Sequence, residues 1–327
     1  LDRPRIVVTQ GDPAGIGGEV ALKALKARLG KSKSDYLLVG GFDQLVVTAK
    51  KLKIKVPLVR LGKVPARMGQ IPVLDLGAPA KITWGKISKE CGAAAVRYIE
   101  AAARLALVGQ AQALVTAPIN KEAIHLSGSK FPGHTEMLAE ISKTKNFAMM
   151  MVGGPFKITL LSIHLSLRDA VSQVTPSAVF EKLELTHRTM KTWFKIKKPR
   201  IAVAGLNPHA GENGAFGKEE LKVLKPAIQK ARGKGWKVTG PHPPDTLFYW
   251  AGQGRFDAIL CMYHDQGLIP LKLSAFDSGV NMTLGLPFIR TSPDHGTAFD
   301  IAGKGKANPS SMTAALDLAE KLARLKP

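Results

Sequence analysis

Short β-branched runs alternate with longer segments of helical spacing along this chain, and that alternation is what most restricts its fold. Arg5–Thr9 reads as a strand, followed by a glycine-rich turn and a helix over Glu19–Leu29. Tyr36–Val39 is the next strand and Phe42–Lys51 the next helix. Gly92–Gly109 is Ala-rich with helical spacing and leads to a strand at Ala113–Thr116. Further strands are expected at Ala148–Val152, Ile158–Ser162, Ile201–Ala204 and Ala258–Met262, and helices at Pro176–Phe194, Glu219–Arg232 and Met312–Leu325. Strands separated by helices cannot pair as hairpins. They build a mostly parallel sheet covered by helices, an α/β fold. With 327 residues, two lobes are expected rather than one, with boundaries near 127–133 and near 284.

Composition narrows the class. No stretch of eighteen apolar residues is present, so no membrane span is expected. Leu1-Asp2-Arg3-Pro4 runs directly into the first strand, without the features of a secretion signal. The two cysteines, Cys91 and Cys261, form no C-x-x-C motif and no disulfide framework, and a reducing cytoplasm is the expected compartment. Lys and Arg total 47 against 25 Asp and Glu, a net charge of +22. Such a charge raises nucleic acid as a partner. The lysines, however, are scattered over solvated helical faces without interleaved aromatics, so a nucleic-acid role is not expected; a positive field suits a small anionic substrate.

In open α/β sheets ligands collect at the carboxyl ends of strands. The polar residues that fall there are 11–18, 116–121, 162–169, 207–213 and 263–267. The first of these, Gly11-Asp12-Pro13-Ala14-Gly15-Ile16-Gly17-Gly18, opens a helix and could wrap an anion with backbone N–H groups. It matches neither the dinucleotide fingerprint nor a Walker loop, and a tight structural turn accounts for it equally well. His164, His209 and His264 each follow an apolar strand, which points all three toward one sheet edge. Three imidazoles can hold a zinc-like ion with one position left open, and Asp169, Glu212 and Asp265 could orient them. Each could equally be an ordinary hydrogen-bonded loop histidine. His134 and Thr135, in Pro132-Gly133-His134-Thr135-Glu136, stand at a helix start where they could hold phosphate or simply cap the helix. Lys272, Asn281 and Arg290 follow the third histidine, and Lys and Arg suit phosphate or carboxylate. His125, His187 and His242 have no such context.

Five stretches resemble the 4-hydroxythreonine-4-phosphate dehydrogenase family: Thr9 to Gly17, Phe131 to Glu136, Leu206 to Glu212, Met262 to Gly267, and Val280 to Ala298. They run in family order from near the start to near residue 300. The resemblance implies a homodimer whose metal is held by His164, His209 and His264, with ligands drawn from both subunits. It implies substrate contacts at His134, Thr135, Lys272, Asn281 and Arg290. It also implies two α/β/α lobes of the isocitrate and isopropylmalate dehydrogenase kind with an active-site cleft between them: 1–128 with 285–327 on the cofactor side, and 129–284 carrying metal, substrate and dimer contacts. The segment 296–309 resembles the adenine-side loop of those dehydrogenases, which places Gly296, Asp300 and Asn308 at the cofactor.

The activity so implied is NAD(P)⁺-dependent oxidation of 4-phosphooxy-L-threonine in pyridoxal phosphate biosynthesis, with Zn²⁺, Mg²⁺ or Co²⁺. The 3-keto acid formed would decarboxylate to 3-amino-2-oxopropyl phosphate. Lys272 is the expected base, with Asp245 as a second candidate. Relatives that act on D-threonate or D-erythronate 4-phosphate share the same metal and phosphate residues. A non-catalytic anion-binding protein and an isocitrate-type enzyme are the rival readings. The net charge of +22 is not accounted for by the resemblance.

Overall fold

The computed structural model describes residues 3–62 and 69–325. In chain order they form β1 (Arg5–Thr9), α1 (Gly17–Lys26), β2 (Asp35–Gly40), α2 (Phe42–Lys51), β3 (Leu58–Arg60), β4 (Ile71–Asp75), α3 (Lys89–Leu107), β5 (Ala113–Thr116), α4 (Lys121–Leu126), α5 (His134–Ile141), β6 (Ala148–Gly153) and β7 (Phe156–Leu160). There follow α6 (Leu167–Ser172), α7 (Pro176–Thr192), β8 (Arg200–Ala204), α8 (Lys225–Gly233), β9 (Lys237–His242), α9 (Pro244–Gly252), β10 (Ala258–Cys261), α10 (His264–Ala275), β11 (Val280–Leu284), β12 (Ile289–Pro293) and α11 (Ser310–Leu325). The class is α/β, as the alternation predicts. The chain divides into two compact units, residues 1–145 with 286–324, and 146–285 with 325–327.

In the first unit the strands run β3-β4-β2-β1-β5-β12, every pair parallel. Alternation along each strand sorts side chains onto two faces. Val7, Leu37, Val39 and Leu114 pack with Tyr98, Ile99 and Ala102 of α3. Ile6, Val8, Leu38 and Val115, one residue out of phase, are also fully buried, which is why these strands read as continuous apolar runs. The Thr291 hydroxyl of β12 donates to the Ala315 carbonyl of α11.

In the second unit the order is β11-β6-β7-β10-β8-β9. β11–β6 and β6–β7 pair antiparallel, whereas β7, β10, β8 and β9 are parallel. Here the two faces separate cleanly. Ile201, Val203, Leu260 and Met262 join α7 and α8 through Val179, Leu183, Ala227 and Ile228. Ala202, Ala204, Ile259 and Cys261 join α9 and α10 through Leu247, Ala251, Leu268 and Leu271.

The first unit runs through Lys145, with Met137 and Leu138 of α5 buried in the core built on Tyr98. One expectation is corrected. The single helix expected over Glu219–Arg232 is a π-helical turn, Glu220–Leu224, followed by α8. Pro226 has no N–H to give to the carbonyl four residues back, so a regular α-helix cannot run unbroken through it.

Candidate functional site

The glycine turn after β1 is shaped by close backbone approach. Gly11 has φ +74°, and a Cβ there would lie 2.3 Å from the Pro118 carbonyl oxygen. Asp12 donates its N–H to that same carbonyl. Its Oδ1 accepts from the Ala14 N–H at 2.8 Å, while Oδ2 is buried without a hydrogen-bond partner. Burial pushes the Asp12 carboxyl up to about 6 against the pull of its backbone donors. The turn also ties down the segment after β12. Ile16 donates its N–H to the Thr297 carbonyl. The Lys23 ammonium donates to the carbonyls of Gly305 and Ala307, and Glu19 accepts from the Ala307 N–H. These contacts bear out the tight structural corner, and they also fix the 296–309 loop.

On that loop Gly296 and Asp300 are exposed, and a Cβ at Gly296 would meet nothing within 4 Å. Asn308 is also exposed, and its Oδ1 accepts from the Ser310 N–H and hydroxyl, capping α11. That capping role is one the sequence reading does not contain.

A second cluster in the same unit gathers at the start of α5. Arg290 stands on β12 and is 2% exposed. Its Nε and Nη2 both donate to the Thr116 hydroxyl at the end of β5, at 3.2 and 2.7 Å. Burial lowers the guanidinium to about 10, with the Glu136 carboxylate pulling the other way, so it remains a cation at neutral pH. His134 is the first residue of α5, and its Nε2 is buried without a hydrogen-bond partner. Burial, and then the Arg290 charge, holds the imidazole well below its ordinary pKa. Thr135 is half-buried at the next position. The first N–H groups of a helix have no intrahelical acceptor, and the helix dipole favours an anion there. A buried guanidinium, an imidazole with an unsatisfied nitrogen and a helix start have the chemistry to take an oxyanion such as phosphate.

The second unit carries the other candidates. The parallel strands β7, β10 and β8 are adjacent, and His164, His264 and His209 follow their carboxyl ends in that order. The His164 and His264 rings lie 6.0 Å apart between centroids. Ser162 donates to the Met262 carbonyl and so ties their two segments together. Gln266 fixes the turn that bears His264: its Oε1 accepts from the Met262 N–H and its Nε2 donates to the Gly205 carbonyl. A cavity of about 250 Å³ is lined by Ser162, His164, Leu167, Tyr263, His264 and Asp265, among others. Asp265 Oδ1 is 2.6 Å from His264 Nδ1, the carboxylate–imidazole arrangement that leaves Nε2 as a ligand. The Asp169 carboxylate accepts from the Ser166 hydroxyl at 2.6 Å.

His209 occupies an unusual loop. Residues 209 to 213 all have positive φ, four of them non-glycine: His209, Ala210, Glu212 and Asn213. Such backbone costs about 1–2 kcal/mol per L-residue and needs outside support. Glu220, 1% exposed, supplies it: Oε1 accepts from the N–H groups of Leu206 and Asn207, and Oε2 from Asn207 Nδ2. Nothing in the residue pattern marks Glu220, which lies in an ordinary charged run. The His209 ring packs 6.1 Å from Phe216.

Among the described residues of this one chain, no group of three His, Cys, Asp or Glu could hold a metal ion. Two zinc-bound imidazoles at tetrahedral angles would sit about 5 Å apart between centroids, given Zn–N bonds of about 2.0–2.1 Å. The pair of His164 and His264 is close to that spacing, with Asp265 orienting one ring. The donor set fits a divalent ion whose remaining ligand comes from elsewhere.

Of the remaining candidates, Lys272 is half-buried on α10 with its ammonium 5.3 Å from the Phe276 ring. Asn281, on β11, has its Oδ1 buried without a hydrogen-bond partner. Asp245 is exposed at the start of α9, its Oδ1 accepting from the Thr246 N–H. No helix among the described residues is long and apolar enough to cross a membrane.

Comparison with known proteins gives a consistent picture. The family profile described as pyridoxal phosphate biosynthetic protein PdxA matches residues 32–319. The chain is 45% identical over 323 residues to a 4-hydroxythreonine-4-phosphate dehydrogenase of Desulfosudis oleivorans, covering 97% of this chain and 95% of that one. It is 44% identical to a D-threonate 4-phosphate dehydrogenase of Salmonella typhimurium, covering 99% of this chain and 100% of that one. A crystal structure of 4-hydroxythreonine-4-phosphate dehydrogenase from Klebsiella pneumoniae superposes with a TM-score of 0.90 at 41% identity, over 98% of this chain and 99% of that one.

Proposed function

The chain belongs to the PdxA family of pyridoxal phosphate biosynthetic proteins, and from that premise we propose that it is a metal-dependent NAD(P)⁺ dehydrogenase of 4-phosphooxy-L-threonine. The observation that carries this reading is the buried anion site of Arg290, His134 and the start of α5. A phosphate monoester brings about −1.5 to −2 charges at pH 7. It would satisfy the lone His134 nitrogen and the helix N–H groups at once.

His134, Thr135 and Arg290 hold the phosphate and thereby fix the C3 hydroxyl, a positioning effect that lowers the barrier by removing orientational freedom. Lys272 and Asn281 contact the remaining polar groups. Lys272, acting as the neutral amine, would take the hydroxyl proton and become the ammonium as C3 becomes a ketone, and Asp245 is a second candidate for that task. The 3-keto acid so formed loses CO₂ to give 3-amino-2-oxopropyl phosphate. NAD⁺ or NADP⁺, when bound, would supply the hydride acceptor for C3. The 296–309 loop, with Gly296, Asp300 and Asn308, would carry its adenine side, since that loop is anchored to the glycine turn. His164, His209 and His264 would hold the divalent ion, Zn²⁺, Mg²⁺ or Co²⁺, which as a Lewis acid favours loss of the hydroxyl proton.

Two features support a homodimer that shares the metal between subunits. The three histidines form no three-ligand group within one chain. The helix bearing His264 also exposes Ile269 and Leu273, with Phe276 just beyond its end, at 60%, 85% and 72%. That apolar stripe is what a partner subunit would cover.

A relative named for D-threonate 4-phosphate matches as closely as those named for the amino acid, so D-threonate or D-erythronate 4-phosphate is the second reading. One assay separates them. NAD(P)⁺ reduction is followed with 4-phosphooxy-L-threonine, D-threonate 4-phosphate and D-erythronate 4-phosphate, each with and without added Zn²⁺ or Mg²⁺ after chelation. Turnover of the first only, restored by metal, is expected. Preference for a threonate ester would select the second reading, and full activity after rigorous chelation would remove the metal.

A further inference from the structure

We infer that Thr116 is a positioning residue for the phosphate site: its hydroxyl holds Arg290 in the one orientation that binds the substrate anion. The inference rests on the proposed anion site but adds a residue that the family's site pattern, as read from the sequence, does not contain.

Arg290 is anchored at its backbone by the register of β12 on β5, which pairs it with Leu114. Its side chain is long, with several rotatable bonds, and the register alone does not settle where the guanidinium goes. Thr116, two residues further along β5, takes hold of it directly. Its Oγ1 accepts from Nε at 3.2 Å and from Nη2 at 2.7 Å, so both lone pairs of the hydroxyl are given to one edge of the guanidinium. A planar group held at two nitrogens cannot turn about its long axis. Thr116 is itself held: it is fully buried, and Thr116 pairs with Thr9 in the register of β1 on β5. Thr9 in turn accepts from the Ala117 N–H through its own hydroxyl.

Thr116 is therefore a fixed acceptor aimed at a buried cation. With 0% exposure it cannot touch a ligand, and any effect it has on binding must pass through Arg290. The site has little slack for an alternative. His134 is neutral, so Arg290 carries the positive charge of the pair, and the acidic neighbour that acts on it, Glu136, pulls toward α5. A guanidinium released from Thr116 would move toward that carboxylate, and an ion pair there would compete with the incoming phosphate.

The test is a mutant cycle read by two measurements. Thr116→Val removes the acceptor while keeping a β-branched shape suited to the strand. Thr116→Ser keeps the acceptor, and Arg290→Ala removes what Thr116 acts on. The first measurement is the dissociation constant of inorganic phosphate, by calorimetry on the whole protein. The second is the KM and kcat for the phosphorylated substrate. In Thr116→Val the phosphate constant and KM are expected to rise about 10-fold, as for loss of a hydrogen bond to a charged group. Little change is expected in kcat or in the KM for NAD(P)⁺. Thr116→Ser restores most of the affinity. In the Arg290→Ala background, Thr116→Val has no further effect, because the two act as one unit.

Unchanged phosphate affinity in a folded Thr116→Val protein would overturn the inference. So would an equal loss in the Arg290→Ala background, which marks a structural role independent of Arg290. If Thr116→Val does not fold, the decision passes to Thr116→Ala and Thr116→Ser: equal phosphate constants for these two overturn the inference, and weaker binding by Ala alone supports it. The calorimetric arm needs no turnover. A protein that binds phosphate through the Thr116–Arg290 pair but oxidises none of the phosphorylated acids rejects the proposed substrate and leaves this inference standing.

Discussion

Replacing Glu220 by Gln tests whether the left-handed loop bearing His209 is held from outside or stable by itself. Four non-glycine residues at positive φ carry a strain of several kcal/mol, taking about 1–2 kcal/mol for each. Against this stands a buried carboxylate that accepts three hydrogen bonds, from Leu206 N–H, Asn207 N–H and Asn207 Nδ2. Glutamine keeps the shape and one acceptor oxygen. It removes the charge from the two backbone bonds and turns an amide donor toward the Asn207 donor. Hydrogen bonds to charged groups contribute about 1.5–3 kcal/mol and neutral ones about 1, so weakening two bonds and losing the third costs at least about 2.5 kcal/mol. At about 1.4 kcal/mol per factor of ten, local opening should become at least about 60-fold more frequent. Native-state hydrogen exchange reads this at the Leu206 and Asn207 amides. Exchange there is expected to accelerate by that factor while β1 and β5 amides, in the other unit, stay protected. Unchanged protection at 206 and 207 would refute the clamp and leave the loop's strain without a source of support.

Three further outcomes are expected. Asp12 is raised from 3.8 to about 6, so the folded protein holds its proton more tightly than the unfolded chain. Stability from this group is therefore full below about pH 4 and is lost as pH rises to about 6, a loss of about 3 kcal/mol at 1.36 per pKa unit. Asp12→Asn should show a correspondingly smaller decline between pH 4 and 7 in denaturant titrations, and parallel curves would contradict the buried carboxyl raised by desolvation. His134, held by burial and the Arg290 charge well below its ordinary value, should titrate well below an ordinary imidazole in the folded protein. A ring-proton NMR titration with a midpoint near 6.5 would show that the imidazole is not enclosed beside Arg290. His209→Ala should lose bound metal and turnover together, as read by metal analysis and the dehydrogenase assay, and retention of stoichiometric metal would take His209 out of the ligand set.

Local pattern made much of the architecture legible. β1, α2 and β5 have the bounds expected from their residue types, because a run such as Ile6-Val7-Val8 has no alternative but a strand buried on both faces. Elements whose pattern is interrupted were not legible. α10 contains Gly267 and Pro270, and β11 and β12 mix polar residues among apolar ones. The strand-end rule named the stretches that carry all three histidines, whereas His134 and Thr135 were marked by a helix start and Arg290 by its charge. It also named the 116–121 stretch without singling out Thr116, which looks like any strand threonine until Arg290 is seen to lean on it.

By itself, then, the order of residues determined the α/β class and placed each histidine after a strand, because hydrophobic period and strand polarity are local properties. Tertiary structure decided which strands are neighbours, and so that His164 and His264 approach while the trio stays incomplete in one chain. It decided as well that Glu220 is a buried clamp and not a surface charge, and that the Arg290 charge acts on the His134 ring. Desolvation and charge–charge coupling depend on what lies within a few ångströms in space, and sequence distance carries no record of that.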